Sequence, residues 1–160
     1  MLEPVDEKVN ILLVDDQPAR LLSYRSVLED LGQNLVYAHS GAEALSCLMH
    51  MEFALILLDV SMPGMDGFET AAMIHEHPRF ESTPIIFVTG VHDSEFDRLK
   101  GYKVGAVDYV SIPIVPEILR SKVAVLVELH LQRIELQELN AHLSRANTAL
   151  QAEKTRGVAP

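Results

Sequence analysis

The feature that most constrains this chain is a regular alternation of short apolar runs with longer segments of helical periodicity. Val9 to Val14 is a β-branched and leucine run that ends in Asp15-Asp16, the pattern of a buried strand. Pro18 opens a helix with apolar positions at Leu21, Tyr24, Leu28 and Leu31, and Gly32 closes it. Leu35 to Ala38 reads as a second strand. Ser40 and Glu43 form an S-x-x-E capping box for a helix that runs to about Met51. Phe53 to Leu58 is apolar throughout and too short for a core helix, so it is expected to be a third strand. Asp66 caps a helix through about Glu76, with Glu69 as its capping partner. Ile85 to Val88 reads as a fourth strand, Ser94 to Val104 as a helix and Asp108 to Val110 as a short fifth strand. Pro116 begins a last, very long helix.

Five strands separated by helices specify an α/β fold with a parallel sheet covered on both faces. Central strands that are apolar at every position fit that arrangement better than an antiparallel sheet with one wet side. Right-handed crossovers, with a reversal near the first strand, predict a flavodoxin-like, doubly wound five-stranded sheet of order 2-1-3-4-5. In such sheets chemistry sits at the carboxyl ends of the strands, beside the point where the order reverses.

Strand one ends in Asp15-Asp16, strand three in Asp59 and strand four in Thr89, and Ser111-Ile112-Pro113 follows strand five. The order predicts that strands one and three are neighbours, so Asp15, Asp16 and Asp59 converge. Three carboxylates in one crevice raise one another's pKa unless a cation neutralises them. All three are oxygen donors, so the fitting ion is hard: Mg²⁺ or Mn²⁺. A single acid at a strand end commonly serves a turn or cap. Three acids and a hydroxyl, each at its own strand end, go beyond that explanation.

With that constellation in view, Val9 to about Ser121 resembles the receiver domain of bacterial two-component response regulators. The resemblance rests on Ile11-Leu12-Leu13-Val14-Asp15-Asp16 and on Leu57-Leu58-Asp59-Val60-Ser61-Met62-Pro63-Gly64-Met65-Asp66-Gly67. It rests also on Ile86-Phe87-Val88-Thr89-Gly90 and Gly105-Ala106-Val107-Asp108-Tyr109. Four such stretches in the right order are a strong signal where any one would be weak. The resemblance implies that Asp59 is the phosphoacceptor, attacking the phosphorus of a phosphohistidine donor. Asp16, Asp59 and the backbone carbonyl of Ser61 would hold Mg²⁺, with Asp15 acting directly or through water. Thr89 would hydrogen-bond a phosphoryl oxygen, Gly90 would leave room for it, and Tyr109 would be the aromatic switch. A histidine kinase or histidine phosphotransfer protein would be the phosphoryl donor.

The chain departs from the family at one position. Receivers ordinarily carry a lysine immediately before the proline that follows strand five, and here that residue is Ile112. A lost charge-assisted hydrogen bond costs on the order of 1.5–3 kcal/mol. Lys100 and Lys103 lie on the preceding segment, and no spacing argument brings either into the site. The bond before Pro113 is a candidate cis peptide, as the resemblance implies. Two readings follow: an Mg²⁺-dependent phosphoacceptor of altered lifetime, or a pseudo-receiver that acts as a phosphorylation-independent binding or dimerisation module. Because every acid and Thr89 are intact, the first is preferred. A phosphohydrolase of the haloacid-dehalogenase type would want a D-x-D arrangement after strand one, which Asp15-Asp16-Gln17 does not supply. A flavodoxin-type electron carrier would want a hydroxyl- or glycine-rich phosphate loop there. No enzymatic turnover is expected of this chain.

From Pro116 to about Lys154 neither proline nor glycine interrupts a helix-favouring sequence. Ile118, Leu119, Val123 and Leu126 are placed to cover the sheet. Beyond them leucines recur every seven residues at Leu129, Leu136, Leu143 and Leu150, with Val125, Leu139 and Ala146 between them and Gln132 interrupting the second row. This heptad pattern predicts a parallel coiled-coil homodimer, with Glu128 and Arg133 at g and e positions suited to an interchain ion pair. The expected organisation is a receiver over residues 8–121, an extended helix over 122–154 and a disordered tail over 155–160.

Composition sets the remaining bounds. A balance of 23 acidic against 13 basic residues gives a formal charge of −10, which disfavours contact with nucleic acid or an anionic membrane. The lone cysteine, Cys47, sits in a helical pattern among Leu45, Leu48 and Met51 and is expected to pack rather than react. The first ten residues are charged and lack an apolar core, so no secretory signal is read and a cytoplasmic location is expected. His75 and His77 stand at i,i+2 spacing, which does not place both on one helical face.

Overall fold

The structure, a computed structural model, describes residues 8–90 and 108–157. The helix expected over Ser94 to Val104, with Lys100 and Lys103, lies outside the described residues. The elements are β1 (Asn10–Val14), α1 (Pro18–Leu28), a 3-10 turn (Glu29–Leu31), β2 (Asn34–Ala38), α2 (Gly41–His50), β3 (Leu55–Asp59), α3 (Gly67–Glu76), β4 (Ile85–Thr89), β5 (Asp108–Ser111) and a C-terminal helix (Pro116–Gly157). The five strands form one sheet of order β2-β1-β3-β4-β5, and every neighbouring pair is parallel. The flavodoxin-like order expected from the sequence is the observed one.

Local chemistry explains where the elements begin and end. Pro18 occupies the first turn of α1, where its missing N–H has no partner to lose. Gly32 closes the following turn at φ +72°, a left-handed conformation that a Cβ would oppose. The Ser40 hydroxyl accepts the Glu43 N–H at 3.1 Å. Only half of the expected box forms, because the Glu43 carboxylate lies against His39 Nδ1 at 3.3 Å. Asp66 caps α3 by accepting the Glu69 N–H at 2.8 Å.

Each strand of the sheet centre is buried on both sides: all five residues of β3 and of β4 are buried. Leu12, Val14, Ile56, Leu58, Ile85 and Phe87 form one cluster with Ala44 and Leu48 of α2 and with Phe68, Ala71 and Ile74 of α3. Cys47 packs against that cluster. Strand alternation sends Ile11, Leu13, Leu55, Leu57, Ile86 and Val88 to the opposite face. Buried there are Leu21, Tyr24 and Leu28 of α1 and Leu119, Val123 and Leu126 of the C-terminal helix. Arg120 Nε donates to the Val27 carbonyl at 3.2 Å and ties the two helices together. Strand three starts two residues later than the apolar run suggests: Phe53 and Ala54 are buried but precede the ladder.

Two compact units divide between Val127 and Glu128. The second is helical throughout its described length. Leu129, Leu136, Leu139, Leu143 and Leu150 within it are each more than half exposed. Its helix extends past Lys154 to Gly157, and the Thr155 hydroxyl donates back to the Gln151 carbonyl at 2.9 Å. Among the described residues, no helix is long and apolar enough to cross a membrane.

Candidate functional site

The site is assembled by the parallel register. β1 and β3 lie side by side, with Val14 opposite Leu58, so the residues that leave their carboxyl ends meet above the sheet. One oxygen from each of Asp15, Asp16 and Asp59 lies within 4.8 Å of the other two. The three acids singled out from the sequence are thus brought into one cluster.

Their environments differ. Asp15 is inaccessible to solvent and well satisfied: Oδ1 accepts the Gln17 N–H at 2.9 Å and Oδ2 accepts the Tyr24 hydroxyl at 2.8 Å. Asp59 is also buried, and its Oδ1 accepts the Ser61 N–H at 3.3 Å. Asp16 Oδ1 and Asp59 Oδ2 are buried atoms with no hydrogen-bond partner. Such orphans are uncommon and mark places where a further group belongs. A hard divalent ion suits this donor set, since the cluster offers only carboxylate oxygens.

A guanidinium that the sequence reasoning passed over stands at the same rim. Arg20 Nη1 lies 3.2 Å from Asp59 Oδ2 and 3.5 Å from Asp15 Oδ2. Burial works against its charge, yet the carboxylates of Asp15 and Asp59 outweigh that and hold the Arg20 pKa above its ordinary value. Burial first, and then the charge of Asp15, push the Asp59 carboxyl up to about 6; Arg20 and the Ser61 N–H pull the other way. Burial, followed by the hydrogen bond to Asp15, raises the Tyr24 phenol far above the usual tyrosine range, so it is a permanent donor. Arg20 and Tyr24 are four residues apart on the helix that leaves the Asp15-Asp16 pair. That i,i+4 spacing is the signal that places both on one face. Tyr24 was counted only as an apolar position, and its hydroxyl proves to orient an acid.

Thr89 ends β4 and is buried. Its strand neighbours β3, with Asp59 paired to Val88, and its carbonyl accepts the Ile112 N–H at 2.8 Å. Beside it, a Cβ built on Gly90 would meet nothing within 4 Å among the described residues. Tyr109 lies on β5 opposite Phe87, half-buried against the core. The bond between Ile112 and Pro113 is cis. Ile112 and Arg20 line one cavity of about 320 Å³, together with Tyr24, Val27 and Ile114.

Comparisons with known proteins agree with this geometry. The chain is 37% identical over 109 residues to the signal transduction histidine-protein kinase BarA of Escherichia coli K12, covering 68% of this chain and 12% of that protein. It is 38% identical over 128 residues to the transcriptional regulatory protein YvrH of Bacillus subtilis, covering 79% of this chain and 51% of that protein. The chain thus spans only part of these longer relatives. The chemotaxis protein CheY4 of Vibrio cholerae superposes with a TM-score of 0.70 at 29% identity, covering 75% of this chain and 99% of that one. Receiver domains are phosphoacceptors that work with histidine kinases or phosphotransfer proteins and hold Mg²⁺ at an acidic cluster. Residues 11–124 match the response regulator receiver domain, and the chain belongs to that family.

Proposed function

We propose that this chain is the phosphoryl-accepting receiver of a two-component phosphorelay, with Asp59 as the nucleophile. The observation that carries the reading is the convergence of Asp15, Asp16 and Asp59, in which Asp16 Oδ1 and Asp59 Oδ2 are buried and accept no hydrogen bond. A carboxylate oxygen of Asp59 attacks the phosphorus of a phosphohistidine. The new O–P bond forms as the P–N bond breaks, and the bonding pair returns to the imidazole nitrogen, which is protonated as it leaves. Mg²⁺ held by Asp16, Asp59 and the Ser61 carbonyl, with Asp15 directly or through water, would cancel the charge that keeps a phosphate away from carboxylates. Tyr24 and the Gln17 N–H fix the orientation of Asp15. Thr89, buried on the neighbouring strand, donates to a phosphoryl oxygen, and Tyr109 on the next strand responds by turning inward.

Incubation with Mg²⁺ and acetyl phosphate is expected to add one phosphoryl mass to the wild type and none to Asp59→Asn, read by intact mass spectrometry. No gain in the wild type overturns the reading. The second reading, a phosphorylation-independent binding module, is favoured by Ile112 standing where the family carries lysine, and a silent wild type would select it.

The receiver, over residues 8–121, is followed by a helical extension over residues 122–154 that pairs two chains in parallel. The exposed leucines at 129, 136, 143 and 150 support this, since a seven-residue apolar row left in water is stabilised by a second helix. Light scattering at micromolar concentration is expected to give a dimer. The double substitution Leu136→Glu, Leu143→Glu is expected to give a monomer that retains the receiver's secondary structure. The location is cytoplasmic, and the similarity to BarA supports a parent of the hybrid sensor kinase type, with any output outside this chain.

A further inference from the structure

We propose that Arg20, presented from the first turn of α1, is the phosphoryl-binding cation of this receiver and takes the part that a lysine at position 112 would otherwise play. The inference rests on the phosphoacceptor reading above and adds to it a residue that neither the family pattern nor the sequence singled out.

Three observations carry it. First, Arg20 touches the reacting group: Nη1 is 3.2 Å from Asp59 Oδ2, the oxygen that has no hydrogen-bond partner, and 3.5 Å from Asp15 Oδ2. Among the described residues it is the one cation within ion-pair distance of these acids. Second, its position is held by the fold. The Arg20 N–H donates to the Gln17 carbonyl at 3.1 Å at the start of a helix set by Pro18. One turn on, Tyr24 of the same face is locked to Asp15. Third, the side chain of Ile112 offers no donor, yet it lines the same cavity as Arg20. The two positions therefore border one cavity, Arg20 from α1 and Ile112 from the segment that follows β5, and Arg20 is the lining residue that also contacts Asp15 and Asp59.

The chemistry suits the part. A guanidinium stays charged at any physiological pH and presents five N–H donors. Contact with Asp59 through Nη1 leaves other donors for the oxygens of an incoming phosphoryl group, which arginine binds in a forked geometry. As the O–P bond to Asp59 forms, the pair of the breaking bond departs on the donor's nitrogen, and the negative charge facing Arg20 shifts from the Asp59 carboxylate to the oxygens of the phosphoryl group it has accepted. Arg20 is already beside the atom where that shift begins. Arginine reaching from a helix replaces lysine reaching from a loop.

The test compares rates of acyl phosphate formation from phosphoramidate at saturating Mg²⁺, on the full chain, for wild type, Arg20→Ala, Arg20→Lys and the double variant Arg20→Ala, Ile112→Lys. Circular dichroism and the urea midpoint serve as folding controls. Arg20→Ala is expected to be slowed about 10- to 100-fold, the range for loss of one charge-assisted hydrogen bond. Arg20→Lys is expected to keep part of the rate, since lysine supplies the charge without the fork, and the double variant to recover at least part of it, because a lysine at position 112 borders the same cavity. Recovery by a charge at a different position separates phosphoryl binding from a merely structural ion pair, which would lower the urea midpoint without that rescue. Arg20→Ala reacting at or above the wild-type rate would overturn the role of Arg20 while leaving Asp59 as acceptor. A wild type that takes no phosphoryl group would overturn the underlying reading itself. Should Arg20→Ala fail to fold, Arg20→Lys with Ile112→Lys on the wild-type background decides the matter. A second cation in the cavity is expected to alter the lifetime of the acyl phosphate, and an unchanged lifetime tells against the shared space.

Discussion

Metal-free Asp59→Asn protein is expected to be more stable than the wild type above pH 6, by about 1–3 kcal/mol in urea denaturation. The cause is the buried carboxyl at the end of β3. Burial and the Asp15 charge raise it from its ordinary 3.8 to about 6. A carboxyl with a folded pKa above its unfolded value binds more protons in the folded state between those two values. Stability from this group is therefore fully present at low pH and is lost as pH rises from about 4 through about 6. The advantage of asparagine should shrink to nothing as pH falls through the same window. The lower part of the quoted range allows for the contact with Arg20 that asparagine forfeits. Added Mg²⁺ is expected to reverse the order. Each tenfold excess over its dissociation constant stabilises the wild type by about 1.4 kcal/mol, while Asp59→Asn, short of one charged ligand, gains little. An asparagine variant that is less stable than metal-free wild type at pH 8, or a wild type indifferent to Mg²⁺, would show that Asp59 is not a strained anion awaiting a cation.

The second large effect is expected at Gly67. This residue begins α3 and its N–H donates to the Val60 carbonyl at 3.0 Å, so the helix start lies directly on the backbone that carries Asp59. A Cβ there would collide with the Asp59 carbonyl oxygen and stand 2.8 Å from Val60 Cα. Both obstacles are main chain and cannot turn aside as a flexible side chain would. Gly67→Ala is expected to cost about 2–4 kcal/mol in the urea midpoint. It is also expected to slow acyl phosphate formation, because relief of the clash displaces the strand end. Gly90→Ala is the control. Its Cβ would meet no described residue within 4 Å, and its stability is expected to stay within about 0.5 kcal/mol of the wild type. Equal losses at the two glycines would mean that general backbone freedom, and not close approach at Gly67, is what matters.

These two expectations draw on different depths of information. The element order, the parallel sheet and its strand sequence were legible in the chain because apolar runs of strand length alternate with capped, periodic segments, and right-handed crossovers leave few topologies. Asp15, Asp16, Asp59 and Thr89 were legible for the same reason: a strand's last residue needs no side-chain contact to be located at the sheet's rim. The boundaries of β3 were less so, since Phe53 and Ala54 are as apolar as the strand they precede. Half of the expected capping box was also misjudged, because Glu43 has His39 as an alternative partner in space.

What the sequence alone determined is the scaffold and the acids, through periodicity and through the rule that parallel sheets gather their strand ends. Only the tertiary structure decided which oxygens accept no hydrogen bond, which carboxyl burial pushes up, and that Arg20 and Tyr24 reach across from α1 to the rim. Those are consequences of burial and of distances between elements far apart in kind. A pattern of residue types along a chain records which side of a helix is apolar. It does not record that a cation on the same helix ends 3.2 Å from an aspartate on the third strand, because that distance is set by how α1 packs on the sheet.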